Sequence, residues 1–197
     1  MGLIVVPNEE ELSFPTKEAY LSEMETILRN ENGLHALAIF DIDQFKAWYH
    51  KFGRRQREVV VNGILDHLRE GNPLYHARIY WDCFVTLVEG EEGSVTNRVA
   101  EIINQVKETT FPLCSEALEK PGKYMRQTNV TFKGQVIGVL DPQKVTMHAG
   151  ICIFEPGAPL EGILAMSSAA LEDAREMPIT EQPRYKVHHW DARWDNL

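Results

Sequence analysis

The sequence predicts an α/β fold in which a mostly antiparallel or mixed sheet is covered by helices. Segments with apolar residues at helical spacing alternate with short apolar runs of strand length. Most of the short runs come in adjacent pairs, as strands joined by tight turns do. The chain has 197 residues, 44% of them hydrophobic, which is enough for one domain with a substantial core.

The first half of the chain is predicted to contain a leader, a helix, a strand and two further helical segments. Residues 1–14 are an acidic leader, and Pro15 opens the first helix. The apolar run 34–40, bounded by glycine and aspartate, is typical of a central strand. Helical spacing then returns, and Gly53 is expected to break it into two segments.

The second half is predicted to contain a strand pair, a helix, a second strand pair, a helix and a final strand. Their ranges are, in that order, 75–79 and 84–88, 94–109, 130–140 and 145–154, 159–176, and 185–189. Segment 111–144 is interpreted as an extended hairpin insertion and a candidate protein-contact surface. The domain is thus expected to span residues 15–190, with a short tail at 191–197.

Charge and composition limit the classes of function. A formal net charge of −9 argues against a generic nucleic-acid binder, which needs a basic surface. A nucleotide held through Mg²⁺ remains compatible, because a metal lets acidic side chains lie beside phosphates. The basic cluster at 53–57 is expected to be a surface patch at a helix start. No apolar run is long enough for a bilayer, and three scattered cysteines predict neither a disulfide framework nor a zinc site. We therefore expect a cytoplasmic protein that does not associate with membranes.

Acidic residues stand at two points where predicted strands end or turn. Asp41 and Asp43 follow the first strand, and Asp82 lies at the tip of the predicted hairpin. Carboxylates at such positions can converge over one edge of a sheet, as a metal-dependent nucleotidyl-transfer site requires. Acids at strand ends also serve as solvated turn formers. Spacing alone favours the turn-forming role without excluding the metal site.

Five segments, in order along the chain, resemble motifs of the GGDEF (diguanylate cyclase) family. Segment 37–46 is similar to the family's hydrophobic run followed by D-x-D-x-F-K, and segment 78–87 carries Tyr-Trp-Asp-Cys-Phe where the family has GG(D/E)EF. Segments 145–152, 165–175 and 14–21 resemble V-T-x-S-x-G-I-A, A-D-x-A-L-Y-x-A-K and L-P-N-R-R-A-F-L. The resemblance implies a palm-like fold shared with adenylyl cyclases. In active members two monomers face each other and condense two GTP into cyclic di-GMP with Mg²⁺.

One half of the family's site is kept in this chain. By resemblance, Asp41 and the backbone carbonyl of Ile42 are metal ligands. Asp82 matches the signature acid that binds metal and, in an active member, assists the 3′-hydroxyl. Lys46 matches a phosphate-contacting lysine, and Arg175 replaces a second one with a different donor geometry. These residues are compatible with a metal-bound triphosphate.

The other half of the family's site has changed. The two signature glycines, which leave room for the nucleotide, are Tyr80 and Trp81 here, so both are candidate ligand contacts as well as candidate obstructions. The following glutamate is Cys83, and a neutral thiol is a poor partner for Mg²⁺. The guanine-reading asparagine and aspartate correspond to Tyr49 and Glu58.

The resemblance therefore predicts a degenerate signalling domain without diguanylate cyclase activity. We expect it to act in bacterial signalling by binding a protein partner, a nucleotide or a cyclic dinucleotide, with Mg²⁺ as the candidate cofactor and a homodimer as one assembly. The alternative is an active metal-dependent cyclase or synthetase of altered base specificity, in which Tyr80 and Trp81 stack a different base. A third hypothesis is a purely structural interaction module.

Overall fold

Helices and strands follow one another in an order close to that predicted. The computed structural model describes residues 17–29, 33–70, 72–124, 128–132, 135–178 and 180–190. The elements are α1 (Lys17–Leu28), β1 (His35–Ile42), α2 (Phe45–Glu70), β2 (Tyr75–Arg78), β3 (Cys83–Glu89), α3 (Glu92–Glu108), α4 (Ser115–Glu119), α5 (Pro121–Tyr124), β4 (Thr128–Phe132), β5 (Gln135–Leu140), β6 (Met147–Phe154), α6 (Leu160–Arg175) and β7 (Arg184–His189). The predicted leader, 1–14, and tail, 191–197, lie outside the described residues.

A five-stranded mixed sheet in the order β2-β3-β1-β6-β7 forms the centre of the fold. β1 pairs antiparallel with both β3 and β6, and β7 pairs parallel with β6 at the edge. β1 is central and almost wholly buried, which is why it is a continuous apolar run rather than an alternating one. The predicted fold class, a mostly antiparallel sheet covered by helices, is confirmed. None of the described helices is long and apolar enough to cross a membrane.

The two faces of β1 belong to two separate apolar clusters. Ala36, Ala38 and Phe40 pack with buried residues of α2 and α3, whereas Leu37 and Ile39 pack with those of α1 and α6. This alternation follows from the period of two along a strand. Helices therefore cover both faces of the sheet. Polar residues are found at the ends of its strands instead.

The long helix α2 contains the break predicted at Gly53. Gly53 adopts φ 83° and ψ −176°, a conformation open to glycine at little cost, and the chain is helical on both sides of it. The expectation that the basic cluster beyond it lies on the surface is wrong for Arg57, whose side chain is only 3% exposed. Residues on both sides of the kink are buried, and the adjacent Glu58 carboxylate compensates for the burial of the Arg57 charge.

The insertion at 111–144 differs from its predicted layout. The single strand expected at 130–140 is wrong: β4 and β5 pair antiparallel with each other in a separate two-stranded sheet. Residues that favour strands stand on both sides of the reversal, so the local pattern alone predicts one continuous strand. Gln56 joins segment 111–144 to α2, since its Nε2 donates to Pro112 O (3.0 Å) and Pro142 O (2.8 Å) and its Oε1 accepts from Cys114 N (2.8 Å).

Gly150 in β6 allows α6 to lie directly on the sheet. A Cβ atom at this position would overlap the backbone of Leu171 and Ser167. Ser167 Oγ also donates to Leu37 O at 3.1 Å, which links the helix to β1 beneath it. Backbone atoms cannot move aside as a flexible side chain can, so this contact sets the distance between helix and sheet.

We expect Gly150→Ala to destabilise the fold by about 3 kcal/mol, because the added methyl must push α6 away from β6. Urea unfolding followed by circular dichroism measures the change. Gly93→Ala is the matched control: Gly93 lies in α3 with nothing near its Cβ position, and its replacement should stabilise by up to about 1 kcal/mol. Equal stability of Gly150→Ala and the native protein would contradict the packing argument.

Candidate functional site

Strand pairing brings the two predicted acidic points together. Asp41, near the end of β1, lies opposite Cys83 in β3 and His148 in β6. Asp82 immediately precedes β3, and its carbonyl accepts a hydrogen bond from Ile42 N at 3.1 Å. Both carboxylates therefore lie at the same edge of the sheet.

A cavity of about 660 Å³ opens at this edge. Its lining residues come from β1 and the start of α2, the hairpin tip, β6, the end of α6 and the start of β7. They are Asp41, Ile42, Asp43, Gln44, Phe45, Lys46, Ala47, His50, Asp82, His148, Arg175 and Arg184. Of the residues singled out from the sequence, Asp41, Ile42, Lys46, Asp82 and Arg175 are in this set. Tyr80 and Trp81 are not.

Asp41 lies against one cation and close to a second carboxylate. Burial raises its pKa, the negative charge of Asp82 adds to the rise, and the hydrogen bond from Arg175 and the nearby His148 oppose it. Arg175 Nη2 is 3.0 Å from Asp41 Oδ2, and this bond raises the pKa of the Arg175 guanidinium. A largely buried carboxylate with a raised pKa beside a second carboxylate indicates a place where a further cation would be stabilised.

Asp43, by contrast, is fully occupied within the protein. It accepts hydrogen bonds from Thr146 Oγ1 (2.5 Å), His148 Nδ1 (2.8 Å) and Arg184 Nη2. Burial alone would raise the pKa of Asp43, but these bonds outweigh it and hold the pKa below its usual range. The carboxylate is thus an anchor for the walls of the cavity rather than a free ligand.

Arg184 and His148 are site residues that the sequence reasoning missed. Arg184 is 1% exposed, and its Nη1 donates to Met177 O at 3.1 Å, so it joins β7 to the chain leaving α6. His148 is 2% exposed. Residues 43, 148 and 184 are too far apart in sequence for any spacing rule to connect them. The one available signal was the position of His148 within a segment that resembles a family strand.

The hairpin tip turns its aromatic side chains away from the cavity. Arg78 holds the tip by donating from Nε to Tyr80 O (3.0 Å) and from Nη2 to Trp81 O (2.5 Å). The Arg57 guanidinium carbon lies 4.4 Å from the centre of the Trp81 ring, and the centres of the Trp81 and Tyr49 rings are 6.2 Å apart. Trp81 therefore packs on α2, while about half of its surface remains exposed.

Charged groups beneath these rings pair with each other. Glu58 is 2% exposed, accepts from Arg57 Nε at 2.5 Å and lies 3.6 Å from Arg78 Nη1. Burial lowers the pKa of Arg78 to about 10, although Glu58 opposes the shift. We define Tyr49, Trp81, Arg57 and Glu58 as the aromatic–ionic cluster.

Cys83 sits between the acidic pair and the core as a protonated thiol. Burial raises its pKa to about 12, and the charges of Asp41 and Asp82 add to the rise. A thiol in this state is not a hard oxygen ligand, so Cys83 does not replace a carboxylate at the site.

Comparison with known proteins was made by sequence and by structure. No family profile and no curated protein matches the sequence. Solved structures do match. The GGDEF domain of DgcB from Caulobacter crescentus, in complex with c-di-GMP, is 16% identical with a TM-score of 0.61, over 94% of this chain and 98% of that one. The chain has the fold of GGDEF domains. The FimX GGDEF domain from Pseudomonas aeruginosa (12%, TM-score 0.62, 94% and 100% covered) is similar too.

A third similar structure has the GGDEF fold within a longer chain. It is the diguanylate cyclase SiaD in complex with its activator SiaC from Pseudomonas aeruginosa, 16% identical with a TM-score of 0.61, over 90% of this chain and 59% of that one. The palm-like resemblance stated from the motifs is thus confirmed at the level of the fold.

The GGDEF-fold cavity has donors suited to one divalent cation. Asp41 and Asp82 supply hard carboxylate oxygens, and the pKa of Asp41 is raised mainly by burial, with the charge of Asp82 adding to the rise. No cluster of three or more His, Cys, Asp or Glu side chains among the described residues is arranged as a complete metal centre. A cation here would therefore need oxygen ligands from water or from a bound phosphate, as Mg²⁺ commonly has.

We expect Arg184→Met to cost about 3 kcal/mol of unfolding free energy, because it leaves the buried Asp43 carboxylate with one cation fewer. Lys186→Met on the same strand, where the side chain is exposed, should change stability by less than about 0.5 kcal/mol. Chemical denaturation measures both. If the two variants were equally stable, Arg184 would not hold the cavity wall.

Proposed function

We propose that the chain is a GGDEF-fold signalling domain that does not synthesise cyclic di-GMP and acts by binding a nucleotide phosphate group or a protein partner. The observation that carries the proposal is the aromatic–ionic cluster. The residues aligned with guanine recognition, Tyr49 and Glu58, contact Arg57 and Trp81 instead of facing the cavity.

Internal pairing of Glu58 supports the loss of guanine recognition. A carboxylate that is 2% exposed and bonded to Arg57 would have to break a buried ion pair before it could accept from a base. Removing one partner from such a pair costs about 3–5 kcal/mol. Trp81 adds a second obstruction, because its ring covers Arg57.

The acidic and basic side chains of the cavity support a phosphate ligand. Asp41 and Asp82 line the cavity beside Lys46 and Arg175. The metal ion of a metal-bound phosphate would lie near the two carboxylates, and the phosphate near the two cationic side chains. A cyclic dinucleotide is a second ligand of the same chemistry, as in the DgcB complex, and the SiaD complex offers the precedent for a protein partner. Nucleoside triphosphates are cytoplasmic compounds, so the proposal implies a bacterial cytoplasmic setting.

The alternative function is a metal-dependent cyclase or synthetase of altered base specificity. Its support is that Asp41 and Asp82 share the cavity, and that Tyr80 and Trp81 on the adjoining hairpin tip keep 63% and 52% of their surface exposed, where a base would stack. In that case Asp41 and Asp82 would hold Mg²⁺, which would supply charge neutralisation at the phosphates.

Incubation of the pure protein with each of the four NTPs and Mg²⁺ or Mn²⁺, followed by chromatographic separation, tests between the two functions. We expect no cyclic or linear dinucleotide product, because the base-recognition side is occupied internally. Product that disappears in Asp41→Ala but persists in Asp66→Ala, a change of an exposed aspartate on α2, would establish the alternative.

Calorimetry with GTP, ATP and cyclic di-GMP tests the binding role. We expect micromolar affinity for at least one of them in the presence of Mg²⁺, weakened about tenfold by Arg175→Ala because one charged hydrogen-bond donor is lost. Lys107→Ala, which changes an exposed lysine on α3, is the control and should bind normally. Absence of binding by all three compounds would leave a protein-contact module as the remaining role.

A further inference from the structure

His148 is buried at the floor of the cavity with one ring nitrogen in use and one without a partner. Its side chain is 2% exposed. Nδ1 donates to Asp43 Oδ1 at 2.8 Å, whereas Nε2 has no hydrogen-bond partner among the described residues and lies 3.8 Å from Asp41 Oδ2. A buried polar atom left without a partner is costly and needs an explanation.

The ring is not free to turn and satisfy Nε2 elsewhere. Asp43 fixes the Nδ1 side, and Asp43 is itself held by Arg184 and by Thr146 at 2.5 Å. The result is a buried histidine in the cavity wall, with a carboxylate on one nitrogen and the other nitrogen 3.8 Å from the Asp41 carboxylate. Histidines that bind metals have this arrangement, because the carboxylate sets the tautomer and orients the ring.

We infer that His148 Nε2 and Asp41 form the protein half of a site selective for a divalent transition metal such as Mn²⁺ or Co²⁺ over Mg²⁺. The inference deepens the proposed function, since the remaining ligands would be water or the phosphate oxygens of the ligand proposed above. An imidazole nitrogen is a borderline donor that Mg²⁺ accepts poorly and that Mn²⁺ and Co²⁺ accept well. Asp82 adds negative charge beside the ion and is not one of its direct ligands in this arrangement, and two protein donors agree with the lack of a complete three-residue centre in the described part of the chain.

Arg175 shows that Asp41 Oδ2 is reachable by a cation from the cavity. Its guanidinium donates to this same oxygen at 3.0 Å, and the side chain is 52% exposed. It also contacts Glu172 at 3.0 Å, one helical turn earlier. Because the arginine side of this pair is half exposed and can be resolvated, a metal ion can displace Arg175 from Asp41. The arginine would then be available to the phosphate.

Titration of the full chain with Co²⁺, Mn²⁺ and Mg²⁺ separately, without nucleotide, tests the inference. Calorimetry gives the affinities, and the visible absorption of Co²⁺ reports a nitrogen ligand. We expect Co²⁺ and Mn²⁺ to bind at least about tenfold more tightly than Mg²⁺, because one of the two protein donors is an imidazole. Equal affinities, or no binding of any of the three ions, would overturn the inference.

Two substitutions separate a metal ligand from a structural histidine. His148→Asn keeps a donor near the Nδ1 position, for Asp43, and removes Nε2, so the tenfold preference should vanish while the unfolding midpoint stays close to native. His148→Gln places its amide near the Nε2 position and gives a second variant if the first unfolds. His188→Asn, on β7 and paired with Asp173, is the control and should keep the preference. Retention of the preference in both His148 variants would overturn the inference.

The outcome is separable from that of the proposed function. Selective metal binding without nucleotide binding would contradict the nucleotide role alone. Nucleotide binding with no metal preference would contradict the role of His148 alone. Mn²⁺-induced broadening of the His148 and Asp82 NMR signals gives a second, activity-independent measure of where the ion lies.

Discussion

The buried carboxylate of Asp43 is the contact on which the geometry of the cavity depends. Asp43 lies just beyond β1. Its carboxylate accepts hydrogen bonds from Thr146, which immediately precedes β6, from His148 within β6, and from Arg184 at the start of β7. A single side chain thereby joins the ends of three strands. Its low pKa keeps it charged, and the low dielectric of the interior makes each of its charged hydrogen bonds strong. It thereby adds charged side-chain contacts to the backbone pairing that holds these strand ends together.

The two aspartates near the end of β1, Asp41 and Asp43, differ in how their negative charges are compensated. Asp43 is saturated with donors, whereas Asp41, two residues earlier, shares its oxygen with one exposed arginine and is repelled by Asp82. Neighbouring carboxylates in one motif thus have opposite roles, one structural and one open to a ligand. Environment rather than residue type separates them, because burial with enough donors lowers a carboxyl pKa and burial with too few raises it.

The aromatic–ionic cluster isolates the hairpin tip from the cavity. Trp81 stacks on the Arg57 guanidinium, and Arg57 forms an ion pair with Glu58. The buried charge of Arg57 is thereby neutralised by a carboxylate and covered by an aromatic ring. Beyond the kink at Gly53, Arg57 is buried where its sequence neighbours Arg54 and Arg55 are exposed. Only part of the basic cluster in the sequence is therefore a surface patch. The side chains of Tyr49 and Glu58 are used for internal packing with Arg57.

Several features of the fold could be predicted from local sequence because local physics determines them. Strand β1 is a continuous apolar run, Gly53 breaks a helical pattern, and the β2–β3 hairpin has apolar strands around a tight turn. The placement of Asp41 and Asp82 at one sheet edge also followed from their positions at strand ends. Strands β4 and β5 were expected as one strand because residues that favour strands stand on both sides of a short interruption, and only pairing distinguishes one strand from two.

The sequence by itself determined most of the elements, the mostly antiparallel sheet and the GGDEF-like pattern in which Asp41, Asp82, Lys46 and Arg175 stand. Only the tertiary structure decided which polar residues are free. It placed His148 and Arg184 on Asp43, and it turned Trp81 onto Arg57 instead of into the cavity. The physical reason is that hydrogen bonds and ring contacts between residues more than 20 positions apart depend on how strands and helices meet, and no spacing along the chain records that.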